Sequence, residues 1–266
     1  MSRTAKILSV LVVALWLLMA VAPSLLAPSD PLAINPTQAF QKPGLAHFFG
    51  TDESGRDIYT RVIHGAGDSL SIGLAATALG TGLAIVLGTV AALSPRWLDE
   101  IILRVLEALY AIPSLLMALL IIAFTGPGVG PAIVAVGLST APGYARLVRS
   151  QIRSLKNSEM LEAATVLGRG TWLKVKNHLV PNALKPLLAL VTLGIGQAVI
   201  WAAALSFLGL GTPPPAPEWG AMLSAGRTYS TTAWWMTVFP GLAVVVTAAS
   251  ATVLGRALAR RGSELP

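Results

Sequence analysis

The chain contains no cysteine, which excludes disulfides, thiolate nucleophiles and cysteine-ligated metals and leaves its redox compartment unreadable. Charge is scarce as well: only 12% of the 266 residues are Asp, Glu, Lys or Arg, far below what a soluble domain of this length needs. Its three histidines, His47, His64 and His178, fall in separate polar stretches and cannot form one metal site together. No G-x-x-x-x-G-K-[ST] loop occurs, and no Gly-Lys pair of any kind, so the chain has no phosphate-cradling loop of that type. Nor does the order of its Ser, His and Asp residues suggest a catalytic triad.

What the chain has in abundance is apolar sequence. It is 54% hydrophobic with a mean hydropathy of +0.70, and its apolar runs reach about 20 residues, the length that crosses a bilayer as a helix. The reading is therefore all-α and polytopic, with six transmembrane helices expected near 7–26, 69–93, 101–124, 132–147, 184–208 and 235–254. The first run could also serve as a signal peptide, with Ala20 and Ala22 as a small-x-small cleavage site. It continues apolar to Ala27, which favours a retained helix. The Pro-rich stretch from Pro28 to Pro43 cannot span.

Gly73, Gly80, Gly82 and Gly88 give the second run the small residues that let helices pack closely in lipid. Pro113 predicts a kink in the third, and Arg104 and Glu107, three apart, are placed to pair on one face. Trp219, Trp234 and Trp235 are placed to anchor at the membrane interface, and the prolines and glycines of the stretch from Ala203 to Leu223, where the fifth run ends, predict an ordered loop outside the bilayer.

The most polar continuous segment is Glu162 to Pro181. Asn157 and Ser158 can cap a short helix carrying Glu159 and Glu162 in its first turn, where the helix dipole favours carboxylates. Ala163 and Ala164 permit close approach of another surface, and Gly168 suits a left-handed helix stop. Thr171 can cap a second short helix, from Trp172 to about Leu179, ended by Pro181. The expected product is a helix, a turn and a helix rimmed by Arg169, Lys174 and Lys176. Taken alone, it is also compatible with a generic amphipathic loop.

The pattern of Glu162, Ala163, Ala164, Gly168 and Pro181 resembles the cytoplasmic loop of permease subunits of binding-protein-dependent ABC importers. Gly50, Thr51, Asp52, Gly55, Arg56, Asp57 and Arg61, with Gly65, Ser69, Leu70 and Gly73, resemble the signature before the second span in that family's dipeptide, oligopeptide and nickel branch. Ser206 to Gly211, Pro214, Pro217, Trp219, Gly220 and Leu223 resemble a further stretch of the same branch. The chain departs from the branch at Gly67, where an Arg is usual, and at Glu107, where Asp is usual. Without the resemblance, Asp52, Arg56, Asp57 and Arg61 read as a charged loop pairing locally, an arrangement that shapes a loop without doing chemistry.

The resemblance, which is nearest to the shorter-loop C-type member of the permease pair, implies a type I ABC importer permease fold. It divides the chain into a first transmembrane helix (1–27), an extracytoplasmic segment (28–68), a core of five transmembrane helices (69–258) with a coupling loop at 149–182, and a cytoplasmic tail (259–266). It implies that Glu162 to Gly168 seats in a groove of an ATPase, and that the chain works with a second homologous permease, two ATPase subunits or domains, and an extracytoplasmic substrate-binding protein. ATP and magnesium are then bound by the ATPases, with no cofactor and no catalysis in this chain.

Charge distribution gives an independent orientation. Of the 19 Lys and Arg, 15 fall on the side of the termini and the docking segment, leaving Lys42, Arg56, Arg61 and Arg227 opposite, which makes the docking side and both termini cytoplasmic; that the membrane is the cell membrane of a prokaryote is what the resemblance implies. Topology thus explains the net charge of +7 and argues against a nucleic-acid partner. The solutes that the resemblance implies are di- or oligopeptides, with nickel, a metal chelate or glutathione as alternatives. An intramembrane enzyme or a structural membrane protein is a remoter alternative.

Overall fold

The computed structural model describes residues 3–156, 158, 162, 166–174, 177 and 180–263. Among these the chain is helical and has no strand. Eight helices carry the architecture: α1 Arg3–Val21, α2 Ile58–Leu93, α3 Arg96–Ala111, α4 Ser114–Thr125, α5 Val129–Lys156, α6 Val180–Phe207, α7 Trp219–Arg227 and α8 Trp235–Ser263. A further single turn covers Thr171–Lys174.

The long helix α2 is the axis of the fold. It packs along α5 on one side and α6 on another, while α8 lies along α6 and α1 closes against α2 and α8. Glycines set how closely these helices approach. A Cβ on Gly80 would lie 2.8 Å from the Gly137 carbonyl, and one on Gly88 would lie 2.6 Å from the Ala145 carbonyl, so α2 meets α5 backbone to backbone. In a lipid surround such contact takes the place of a hydrophobic drive.

The helices begin and end differently from expectation at three places. First, α2 starts at Ile58 rather than Ser69, because the Asp57 side chain accepts from the Thr60 amide at 2.8 Å and caps it. Secondly, the expected third span is not one kinked helix: α3 and α4 meet at 93°. Ile112, the residue before Pro113, adopts an extended conformation, as sterics before proline favour. Thirdly, part of the expected outer loop is helical, with α7 capped by Glu218, whose two carboxylate oxygens each accept an amide, Gly220 and Ala221, at 2.8 Å.

By length and composition, α2 and the 235–257 part of α8 can each cross a membrane alone, and α3 with α4 qualifies as a bent pair. The apolar segments Val10–Val21 of α1 and Val191–Phe207 of α6 are shorter. The core at one end of the bundle gathers Trp16, Ile58, Val62, Trp219, Met222, Trp235 and Met236. Trp219 and Trp235 are therefore buried rather than interfacial. Trp219 packs edge-on to Trp16 at 5.1 Å and donates its indole N–H to the Val62 carbonyl at 2.9 Å. Only Trp234 of the expected trio is substantially exposed.

Candidate functional site

The docking segment, which follows the end of α5, is described in part. The Glu162 amide donates to the Ser158 carbonyl at 3.1 Å, a helical contact consistent with the expected first helix. Gly168 has φ +72°, the left-handed conformation its sequence position predicts, and nothing lies near a Cβ built there. Around this turn stand Val166, 84% exposed, with Leu167 and Trp172 also exposed and Leu173 half-exposed, an apolar edge that the described residues leave largely uncovered. Asn157, Glu159, Ala163, Ala164, Lys176 and His178 lie outside the described residues. Pro181 lies in the first turn of α6, where its missing N–H costs no helical bond; of the expected second short helix, Thr171–Lys174 is helical, and Val175, Lys176, His178 and Leu179 lie outside the described residues.

At the other end, the residues of the 50–61 signature form a structural knot. Asp52 accepts the amides of Ser54 and Arg56 at 2.8 and 2.9 Å, with the Arg56 guanidinium at 3.5 Å and Arg61 Nε at 3.8 Å. Arg61, only 5% exposed, donates to the carbonyls of Pro31 at 3.2 Å, Pro215 at 3.1 Å and Ala216 at 3.5 Å, joining three distant segments. Asp57 caps α2 and lies 2.9 Å from His47 Nδ1. Thr51 donates its hydroxyl to the Gln38 carbonyl, and its own carbonyl accepts the Trp235 indole N–H at 3.0 Å. Gly50 and Gly55 have φ of +76° and +75°, and a Cβ at Gly55 would sit 1.8 Å from the Asn35 carbonyl oxygen. Local pairing is thus only part of the story, since Arg61 ties the signature to the Pro-rich loop more than 150 residues away.

Between these ends lies a cavity of about 770 Å³, walled by α3, the start of α4, α5 and α6. Its polar lining includes Glu107, Ser114, Thr140, Arg146, Arg149 and Gln197. The Arg146 guanidinium lies 5.3 Å over the Tyr110 ring, and Glu107 accepts from Arg104 at 3.2 Å, the pair expected from their spacing. Such a wall can accommodate a solute that carries both charge signs and amide groups. His47 and His64 are both engaged elsewhere, His64 with its Nε2 at 2.9 Å from the Ala27 carbonyl. Among the described residues no three His, Cys, Asp or Glu side chains gather to bind a metal.

Two buried acids were not singled out from the sequence. Glu218 is the cap of α7 and also accepts from the Ser69 hydroxyl at 3.3 Å. Asp99 lies in the first turn of α3, 1% exposed, and receives the Arg149 side chain through Nε at 2.5 Å and Nη2 at 2.7 Å, together with Arg153. The available signal was an acid in a helical first turn and two arginines four apart, on one face of a helix.

Residues 84–263 match the model of the family described as binding-protein-dependent transport system inner membrane component. A dipeptide transport system permease protein, DppC, of Alkalihalophilus pseudofirmus is 37% identical over 95% of this chain and 83% of its own length. The probable D,D-dipeptide transport system permease protein DdpC of Escherichia coli is 36% identical, over 93% of this chain and 83% of its own. A glutathione transport system permease protein, GsiD, of Pectobacterium atrosepticum is 37% identical over 81% of this chain and 72% of its own. Among solved structures, the methionine ABC transporter MetNI in an inward-facing conformation has a chain that superposes with a TM-score of 0.64 over 77% of this chain and 97% of that one, at 18% identity, a likeness of fold. With a family model matched over most of its length and relatives of this identity, the chain belongs to the inner membrane permease components of binding-protein-dependent ABC importers.

Proposed function

We propose that this permease subunit imports di- or oligopeptides and that Glu162, Ala163, Ala164 and Gly168, up to Pro181, form its coupling site for an ATPase. The observation that carries the coupling assignment is the exposed apolar edge of Val166, Leu167, Trp172 and Leu173 around the left-handed Gly168, which the described residues leave for another surface to cover. Relatives named for dipeptide transport support the solute assignment. The second reading is glutathione, favoured by the GsiD relative and chemically close, since it too is a short peptide carrying both charge signs.

In this reading a second homologous permease completes the path, of which the cavity between α3 and α6 is this chain's half. Two ATPase subunits bind ATP and magnesium beneath the coupling loop, and a binding protein delivers solute at the opposite face. Closure of the ATPases moves the groove that holds residues 162–168 and rocks the helices from inward-facing to outward-facing. Both termini and the loop at 149–182 are cytoplasmic, since basic residues concentrate there. Residues 28–57 and the Pro-rich loop before α7 lie outside, where the signature from Gly50 to Arg61 braces the receiving surface for the binding protein.

The test is uptake of labelled dipeptide, glutathione and nickel in cells lacking the chain and in cells where it is restored. Loss of dipeptide uptake alone supports the assignment, and loss of glutathione or nickel alone replaces it. In the restored cells, Glu162→Lys and Gly168→Pro should each abolish uptake with the protein still in the membrane. Normal uptake in both would sink the coupling assignment.

A further inference from the structure

The Asp99 carboxylate is the meeting point of two helices that the chain connects only distantly. It lies one turn after the Ser94–Pro95 junction between α2 and α3, its own amide donating to the Pro95 carbonyl at 3.0 Å. Arg149 and Arg153 reach it from the last turns of α5, and α5 ends at Lys156, immediately before the docking segment. Arg149 approaches as a fork, Nε to one oxygen and Nη2 to the other, a geometry that fixes orientation as well as distance. Arg149 also lines the cavity, together with Glu107. One buried carboxylate therefore touches the end of the helix entering the docking segment, the wall of the cavity and the start of α3.

The charges are unequal. Among the described residues Asp99 is the only carboxylate within ion-pair distance of Arg149 or Arg153, so one negative charge holds two positive ones. Removing it leaves two cations four residues apart, facing the start of α3 with no carboxylate among the described residues within ion-pair distance of either. An apolar contact would pack these helices as well, but it would permit sliding and rotation that a fork does not.

We infer that Asp99 is a positioning residue that locks the end of α5 to α3, so that movement at the docking segment is transmitted to the α3 side of the cavity wall together with the α5 side, as one rigid displacement. This rests on the coupling role proposed above for residues 162–168. With the lock intact, α5 and α3 move together when the ATPase moves. Without it, the end of α5 can follow the ATPase while the α3 side of the cavity wall stays behind, and ATP is hydrolysed without transport.

The test uses the whole importer in liposomes, with both permeases, the ATPases and the binding protein, measuring dipeptide uptake and ATP hydrolysis in the same vesicles. Asp99→Asn, similar in shape but uncharged, should retain its ATPases on purification and continue to hydrolyse ATP, while dipeptide moved per ATP falls about tenfold, within the range of coupling between linked sites. Hydrolysis should also lose its dependence on the binding protein. Arg153→Gln leaves the Arg149 fork intact and should show a smaller fall of the same kind, and it decides the matter if Asp99→Asn fails to assemble. An unchanged ratio, or uptake and hydrolysis falling in proportion, overturns the inference, because a purely structural role lowers both together. Glu162→Lys, measured alongside, should lose the ATPases altogether; if it keeps them and transports normally, the docking assignment fails while the ratio in the Asp99 variant still reads the lock. Wild-type vesicles that hydrolyse ATP but move no dipeptide overturn the solute assignment alone, and the lock is then read from the binding-protein dependence of hydrolysis.

Discussion

Replacing Arg61 by methionine keeps most of the length of its apolar stem and removes the guanidinium. Three backbone carbonyls, at Pro31, Pro215 and Ala216, lose a charged donor, and Asp52 loses the cation 3.8 Å away, all at a side chain that is almost wholly buried. Hydrogen bonds from a charged group are individually worth about 1.5–3 kcal/mol but do not add when they share one donor. Deleting one member of a buried charge network costs about 3–5 kcal/mol, and that is the expected loss here. Arg96 supplies the control. It pairs with Glu100 at 2.9 Å, closer than Arg61 lies to Asp52, yet it is 91% exposed, and an exposed pair one helical turn apart contributes about 0.5 kcal/mol or less. The assay is the fraction of purified protein that stays monodisperse after stepwise heating in detergent, together with protease sensitivity of residues 28–57. Arg61→Met should lower the midpoint clearly and open the outer segment to cleavage, and Arg96→Met should do neither. Equal effects, or a larger one at Arg96, would refute the argument that burial and not ion-pair distance sets the value of these arginines.

Two further substitutions test the packing and the capping. Gly88→Leu drives a side chain into the Ala145 carbonyl and Val148, both under 3 Å from a Cβ at that position, and should cost about 1–3 kcal/mol as overpacking, whereas Gly82→Ala, with open space around it, should be neutral or slightly stabilising in the same heating assay. Glu218→Ala removes the acceptor for the Gly220 and Ala221 amides and for Ser69, and should cost about 1–2 kcal/mol as a lost helix cap; Glu218→Gln retains one carbonyl acceptor and should recover part of that, and a Gln variant as unstable as the Ala variant would argue against the cap.

The long apolar runs were legible because bilayer length and helical rise fix what they must become, and α5, α6 and α8 each cover the run expected there to within a residue, while α2 covers its run and begins eleven residues before it, at Ile58 rather than Ser69. The left-handed turn at Gly168 was legible because few other residues adopt that conformation without strain. Misreadings arose where a local signal was overridden from a distance. The start of α2 was obscured by Arg61 and Asp68, which look like loop residues until Asp57 is seen to cap the helix and Arg61 to be used by the Pro-rich loop. Trp219 looks like an interface anchor beside prolines, but the Glu218 cap turns α7 inward and delivers the indole to Trp16 and Val62. Pro113 signals a bend in either case; whether it kinks a helix or breaks it depends on Ile112, whose extended backbone turns a kink into a 93° corner.

Asp99 marks the limit of such reading. In sequence it is one acid in a turn between apolar runs, and Arg149 and Arg153 are two members of a basic cluster that topology alone explains. The positive-inside rule accounts for their side of the membrane and for nothing finer. Their pairing with Asp99 depends on α3 turning sharply away from α4 and on α5 running alongside α2, so that the end of one helix meets the beginning of another some fifty residues away. A charge needed only for orientation should lie in solvent, where it costs least. Asp99 is buried where the last turns of the helix leading to the docking segment meet the start of α3 beside the cavity, and the desolvation it bears there is offset by the fork that Arg149 makes to it together with the Arg153 guanidinium.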